Sequence, residues 1–123
     1  ADTTVALDGD ILGKPANREE AAAMLRRLSG RTHEVLSAVA MTFDGRTESR
    51  LSITTVDFIP LDEERIQRYV QSGECDDKAG AYAIQGRAGA FARRIDGSYT
   101  GVMGLPLAET VELLRAFGYP AVP

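Results

Sequence analysis

Residues 32–59 read THEVLSAVAMTFDGRTESRLSITTVDFI, a long stretch of β-type sequence. β-Branched and apolar residues fill both halves, and Asp44-Gly45 between them is a pair typical of hairpin turns. The sequence therefore predicts a long hairpin with strands at 32–43 and 46–59. Because polar and apolar residues alternate imperfectly in the second strand, we expect a bulge or a change of exposed face near Thr55.

A shorter hairpin is predicted before it. Residues 2–7 are apolar and β-branched, Asp8-Gly9 is a turn pair, and residues 11–12 return beside the first strand. Gly13-Lys14-Pro15 then breaks the β pattern. Lys14 is thereby placed at the end of the hairpin, where a loop side chain can face a cleft.

Helix signals alternate with these strands. The sequence predicts a first helix that is capped by Asn17 and ends at Gly30, and a second helix from Asp62 through Val70. A hairpin follows, in which residues 90–95 pair with residues 99–103 around Asp96-Gly97. A last helix is predicted from Pro106 to Phe117. Strands that alternate with helices, without repeats or low-complexity linkers, indicate one α/β domain over residues 1–123.

The overall charge and the cysteine content exclude several classes of protein. A net charge of -4 and a pI near 5.0 argue against a duplex nucleic-acid binder, although a few local cations suffice for a small anion. The single cysteine, Cys75, excludes an internal disulfide and a multi-cysteine zinc site, which agrees with a reducing cytoplasm. Without an apolar run long enough for a membrane span, we expect no membrane partner.

The segment DKAGAYAIQG at 77–86 contains the residues best suited to bind a ligand. Lys78 offers a mobile positive charge, and the Gln85 amide both donates and accepts hydrogen bonds. Small residues between them allow close approach of a ligand. By itself the segment fits a polar, negatively charged ligand or a plain tight turn, and a turn is the commoner use of such residues.

Together with ADTTV at 1–5 and LGKP at 12–15, this segment resembles the Maf family of nucleoside triphosphate pyrophosphatases. The resemblance continues through LSGRTHEV at 28–35 to GVMGLPL at 101–107 and so covers almost the whole chain. It implies an α/β fold similar to inosine triphosphatase, with a mixed, twisted sheet and flanking helices. Family members begin with a Ser-x-Ser-Pro-Arg-Arg loop that this sequence lacks. We therefore expect the C-terminal portion of a Maf-like domain, with an apolar face left uncovered.

Asp2 is the candidate catalytic residue. Hydrolysis of a phosphoanhydride requires a carboxylate that holds a divalent metal or takes a proton from water, and the resemblance implies both roles for Asp2. The alternative is a strand-end Asp that caps a turn. The resemblance assigns substrate selectivity to Thr3, although successive side chains of a regular strand point to opposite faces. For Thr3 the alternative is ordinary β-propensity.

Three further residues are candidates for substrate binding. Lys14 and Lys78 can neutralise the charge of a triphosphate, whereas an isolated lysine is more often simply exposed to solvent. The resemblance implies that Gln85 selects a pyrimidine base, because the subgroup specific for 7-methyl-GTP carries Glu there. Gln85 can alternatively satisfy the backbone of its loop. We expect a structural role for His33, and we expect the thiol of Cys75 to be unreactive.

The resemblance implies hydrolysis of dTTP, UTP or modified pyrimidine nucleotides to the monophosphate and pyrophosphate. It further implies Mg²⁺ or Mn²⁺ as cofactor, a cytoplasmic location, an effect on cell division and a homodimer. Two alternatives follow from the missing arginine-rich loop. In the first, the chain binds nucleotide without turnover. In the second, it is a structural part of the domain that functions only together with the missing segment.

Overall fold

The computed structural model describes residues 2–119; Ala1, which opens the ADTTV motif, and residues 120–123 lie outside the described range. The elements follow the order β1 (Asp2–Leu7), β2 (Asp10–Leu12), α1 (Arg18–Leu28), β3 (Thr32–Phe43), β4 (Arg46–Phe58), α2 (Glu63–Gln71), β5 (Ala92–Asp96), α3 (Tyr99–Met103) and α4 (Leu107–Ala116). Short 3₁₀ segments lie at Ala79–Ala81 and Arg87–Phe91. No helix within residues 2–119 has the length and apolarity needed to cross a membrane.

The predicted hairpin of β3 and β4 forms the centre of a five-stranded sheet with the order β2-β1-β3-β4-β5. Its register is continuous from the pair Thr32 and Asp57 to the pair Phe43 and Arg46, so the bulge expected near Thr55 is absent from this pairing. An irregularity occurs instead between Asp57 and Phe58, where β4 pairs with β5. The α/β class with flanking helices is confirmed, but every described strand pair is antiparallel, so the sheet is not mixed.

The two capped helices form as predicted because side chains satisfy their first backbone N–H groups. Asn17 accepts from the Glu20 N–H at 2.8 Å, and Asp62 accepts from the Arg65 N–H at 2.8 Å. Leu25 and Leu28 of α1 are fully buried in a core cluster that also contains residues of the sheet and of α2. The Arg26 guanidinium joins α1 to α2 by donating to Glu63.

The prediction of a hairpin strand at 99–103 is wrong, because these residues form α3. The Ser98 side chain accepts from the Gly101 N–H at 2.9 Å and so caps a helical turn, while the Ser98 N–H donates to Thr54 Oγ1 at 2.9 Å. Residue 98 is thereby fixed above β4, and the chain leaves the plane of the sheet after β5. A local cap and one long-range bond have outweighed the β-propensity of the segment.

Within residues 2–119 the helices cover only one face of the sheet. Val5, Val35 and Val56 on the covered face are almost fully buried, and the Ser37 hydroxyl on the same face donates to the Gly101 carbonyl of α3 at 2.5 Å. The pleat turns Leu51 and Ile53 to the other side, where they are 56% and 52% exposed. We call this side, with Ile11, Leu36, Ala38, Leu51 and Ile53, the bare face. The expectation of an uncovered apolar face agrees with it.

Candidate functional site

A cavity of about 260 Å³ opens at the start of β1 on the covered face. All five candidate residues line it, namely Asp2, Thr3, Lys14, Lys78 and Gln85. They come from one strand and two separate loops that are distant in sequence. Val5, Val35, Val102 and Met103 supply apolar surface, so the cavity combines charged groups with an apolar side suited to a flat ring.

The loop of residues 77–81 holds a strained backbone. Asp77 and Ala81 have φ values of 63° and 66°, in the left-handed region that side-chain-bearing residues rarely adopt, while Gly80 between them reaches 71° without strain. The Gly80 N–H donates to the Gly13 carbonyl at 3.1 Å, which joins this loop to the end of the first hairpin. Strain of this kind concentrates at ligand sites, because the surrounding structure must hold it in place.

The two lysines differ in their surroundings. Lys14 Nζ lies 3.2 Å from Asp77 Oδ1 in an exposed pair, and such pairs contribute little to stability. Lys14 is therefore able to leave Asp77 for a stronger anion. Lys78 is exposed and makes no ion pair within residues 2–119. The cavity thus holds two cations beside the two carboxylates of Asp2 and Asp77.

Asp2 and Thr3 line the same cavity, although the alternation along a strand argued against it. The pairing of β1 with β3 is regular from Asp2 to Ala6, so no bulge accompanies this arrangement. The exposed Asp2 is the first described residue of its strand, at the end where the cavity opens. The Thr3 hydroxyl lies 3.3 Å from Ser37 Oγ on the covered face.

Gln85 is exposed at the end of a wall whose preceding residues, Tyr82, Ala83 and Ile84, are buried. A buried Gln that satisfies its own loop was the alternative, and the exposure of Gln85 disfavours it. The Gly86 N–H donates to the Ala83 carbonyl at 3.1 Å, which closes a turn around Gln85. An amide on such a turn can reach the edge of a ligand in the cavity.

Residue-by-residue reasoning missed several of the cavity residues. Asp77 belongs to the DKAG motif, but no role had been assigned to its carboxylate. Val102 and Met103 come from α3, whose helical structure was not predicted. The resemblance extends over GVMGLPL at 101–107, and that was the only signal in the sequence that connected this segment with the site.

His33 supports the cavity wall from the core. It is 2% exposed, its Nε2 lies 2.6 Å from the Tyr82 hydroxyl, and its ring meets Phe58 and Tyr82 edge to face. Burial lowers the pKa of His33 to about 4, against the smaller opposing effect of the Asp57 charge. Nδ1 has no hydrogen-bond partner among the described residues. A neutral, structural His33 agrees with these observations.

The free energy of unfolding is expected to fall as the pH drops from 6.5 to about 4, because His33 binds a proton in the unfolded chain but stays neutral in the folded chain. This group contributes a slope of at most about 1.4 kcal/mol per pH unit. His33→Phe removes it, so the free energy of unfolding should depend less steeply on pH in this window. Urea unfolding at several pH values measures both slopes, and equal slopes would contradict the assignment.

Cys75 is fully buried, and burial raises the pKa of its thiol. The sulfur contacts the Val70 carbonyl at 3.8 Å and does not line the cavity. A buried thiol with a raised pKa is a poor nucleophile, which agrees with the prediction of an inert side chain.

Comparison with known proteins gives a consistent result. A profile of the family described as Maf-like protein matches residues 1–117. The chain is 60% identical over 120 residues to the dTTP/UTP pyrophosphatase of Aromatoleum aromaticum, an alignment that covers 98% of this chain. It is 57% identical over 119 residues to the protein of the same name from Dechloromonas aromatica, which covers 97% of the chain.

The relatives are longer than this chain. The alignments cover 58% of the Aromatoleum aromaticum protein and 59% of the Dechloromonas aromatica protein. A third relative, the dTTP/UTP pyrophosphatase of Bordetella parapertussis, is 58% identical over all 123 residues, which again correspond to 59% of its own length. The chain therefore spans somewhat less than three-fifths of the length of these three relatives.

Proposed function

The chain belongs to the Maf family, and from this premise we propose that it hydrolyses dTTP- and UTP-type pyrimidine nucleotides to the monophosphate and pyrophosphate. The observation that carries the proposal is the convergence of Asp2, Thr3, Lys14, Lys78 and Gln85 on one cavity. The names of the relatives support the substrate class. The apolar side of the cavity suits a base, and its charged side suits phosphates.

Each residue has a chemical role in this proposal. The Asp2 carboxylate takes a proton from the water that attacks the α-phosphorus. Lys14 and Lys78 donate hydrogen bonds to phosphate oxygens and offset their charge. The Gln85 amide reads the base edge, and Thr3 adds a hydroxyl to the selection of the substrate.

We propose Mg²⁺ or Mn²⁺ as the cofactor. Within residues 2–119 no three His, Cys, Asp or Glu side chains are grouped closely enough to hold an ion by themselves. Mg²⁺ is commonly bound by one or two carboxylates together with substrate phosphates, and the carboxylates of Asp2 and Asp77 fit that donor set. When bound, the ion supplies positive charge to the phosphate oxygens.

The charge balance of the cavity favours one alternative, in which the chain binds nucleotide without turnover. Among the described residues that line the cavity, two lysines are offset by two aspartates, so these side chains carry no net charge against a triphosphate. The cavity is also slightly smaller than the roughly 300–1,000 Å³ of typical ligand pockets. Both observations are consistent with a site that needs further cationic groups for full activity.

Pyrophosphate release from dTTP and UTP with Mg²⁺ tests the proposal directly. Turnover that stops when EDTA removes the metal supports hydrolysis with a metal cofactor. Thermal stabilisation by nucleotide without release of pyrophosphate supports the binding alternative. If the chain neither releases pyrophosphate nor gains stability from any nucleotide, both proposals fail.

Substitution of Gln85 by Glu is expected to lower kcat/KM for dTTP and UTP by roughly tenfold to a hundredfold. The carboxylate has no N–H group, so an acceptor on the base edge loses its donor. Gln85 is exposed, and stability should therefore change little. Steady-state kinetics measure the effect, with the change of the exposed Gln71 on α2 to Glu as the matched control. Unchanged kcat/KM would remove Gln85 from base selection.

The homodimer and the additional segment expected from the family stay predictions. The bare face offers apolar surface that a second copy of the chain or the additional segment would bury. A cytoplasmic location and an effect on cell division are further proposals, for which the family resemblance is the support.

A further inference from the structure

Glu74 and Tyr69 lie directly behind the cavity wall, and neither lines the cavity. Tyr69, on α2, is 3% exposed, and its hydroxyl donates to Glu74 Oε1 at 2.8 Å. The same hydroxyl accepts from the Ala83 N–H at 3.0 Å. One side chain of α2 is thereby bonded to the backbone of the wall.

Glu74 binds the backbone on the other side of Gln85, just after the wall. Its Oε2 accepts from the Arg87 N–H at 3.1 Å, and its Oε1 accepts from the Ala88 N–H at 3.3 Å. Burial by itself would raise the pKa of Glu74, but the bonds from these N–H groups and from the Tyr69 hydroxyl outweigh it and lower that pKa. The carboxylate is therefore charged at neutral pH and makes charge-assisted bonds.

Gly86 leaves the space in which the carboxylate sits. A Cβ added at Gly86 would lie 2.5 Å from Glu74 Cδ, well inside contact distance. The φ of Gly86 is -106°, outside the left-handed region. The atoms that an added Cβ would meet belong to the carboxylate. Gln85 is the residue immediately before Gly86.

We propose that Glu74 and Tyr69 are positioning residues that fix the Ala83–Gln85 wall and thereby set the selectivity for the base. The two side chains bond to backbone on both sides of Gln85, at Ala83 and at Arg87 and Ala88. A turn held at both ends can keep the Gln85 amide in one position. This inference rests on the proposed function, since selectivity presupposes a bound nucleotide.

Glu74→Gln is the first test. An amide cannot accept at both terminal atoms, so either the Arg87 N–H or the pair of bonds at Oε1 is lost. The KM for dTTP should rise roughly tenfold, and the preference for UTP over CTP, which differ at the base edge, should fall roughly tenfold. We expect kcat to stay within about twofold, because no reacting group has moved. Glu64→Gln, an exposed change on α2, is the matched control and should leave KM and the preference unaltered.

Gly86→Ala perturbs the same carboxylate from the other side. It should reproduce the rise in KM and the loss of preference. In a Glu74→Ala background the same change should add clearly less, because the nearest atoms it meets are gone. Tyr69→Phe, which removes one hydroxyl and keeps the ring, should give an intermediate effect. If Glu74→Gln and Gly86→Ala both leave KM and the UTP preference unchanged, the inference is wrong.

Amide hydrogen exchange separates this inference from the proposed function, because it needs no nucleotide. Exchange at Ala83, Arg87 and Ala88 should accelerate roughly tenfold in Glu74→Gln and stay unchanged in Glu64→Gln. If the parent chain neither binds nor hydrolyses dTTP, both the proposed function and the role of Glu74 in selectivity are wrong. The exchange rates then still decide whether Glu74 fixes the wall, and equal rates in both variants would overturn that as well.

Discussion

Asp2→Asn is expected to lower kcat for dTTP and UTP by about 10³-fold, within the range for loss of a general base. Asn has nearly the same shape as Asp but cannot take a proton from water. The Asp2 side chain is exposed, and no hydrogen bond from it to residues 2–119 is present. The melting temperature should therefore stay almost unchanged, so that the loss reports on chemistry rather than on folding. Pyrophosphate release under single-turnover conditions measures it.

Asp8→Asn is the matched control, since Asp8 follows the other end of β1 and pairs with Arg31 away from the cavity. It should retain full turnover. An Asp2→Asn variant that keeps more than about a tenth of the activity would exclude Asp2 as the base. If the parent chain only binds nucleotide, Asp2→Asn should instead strengthen binding, because one negative charge near the phosphates is gone.

Gly80→Ala is expected to lower the free energy of unfolding by about 3 kcal/mol, as the sum of backbone strain and overpacking. The φ of Gly80 is 71°, and an added Cβ would lie 2.9 Å from Val5 Cγ2 and 3.0 Å from Val5 Cγ1. Val5 is 2% exposed in a strand paired on both sides, so it cannot move away. The loop must move instead and displace Lys78. Urea unfolding at neutral pH measures the loss of stability.

Two variants separate the causes of this loss. Gly45 has a φ of 75° with no atom of residues 2–119 within 4 Å of an added Cβ, so Gly45→Ala should cost only the strain of about 1 kcal/mol. In a Val5→Ala background, Gly80→Ala should cost clearly less than it does alone, because the methyl groups it meets have been removed. A loss equal to that of Gly45→Ala would mean that the contact with Val5 carries no energy. Weaker nucleotide binding in Gly80→Ala would connect the loop with the site.

Local sequence determined most of the fold because its signals act over a few residues. Asp44-Gly45 defined the central hairpin, and Asn17 and Asp62 defined two helix starts through bonds to an N–H three residues later. The α3 segment was misread because its helix depends on Ser98, which is fixed by Thr54 from a distant strand. The absence of parallel pairs likewise depends on which strands meet, and local patterns do not encode that.

The candidate residues were also found in the sequence, although their types alone would not have singled them out. Asp2, Lys14 and Gln85 are separately ordinary, and only the family resemblance joined them before the structure brought them to one cavity. The carboxylate of Asp77 and the apolar surface of Met103 were missed, because a cavity is defined by neighbours in space.

The sequence by itself determined most of the strands, the capped helices and the candidate site residues, since propensity, capping and motif spacing are properties of short segments. Only the tertiary structure decided that Asp2 and Thr3 share one cavity and that residues 2–119 leave one sheet face bare. It alone revealed the bonds from Glu74 and Tyr69 to the wall that carries Gln85. These features depend on distances between segments that are far apart along the chain, and such distances are fixed only when the segments pack together.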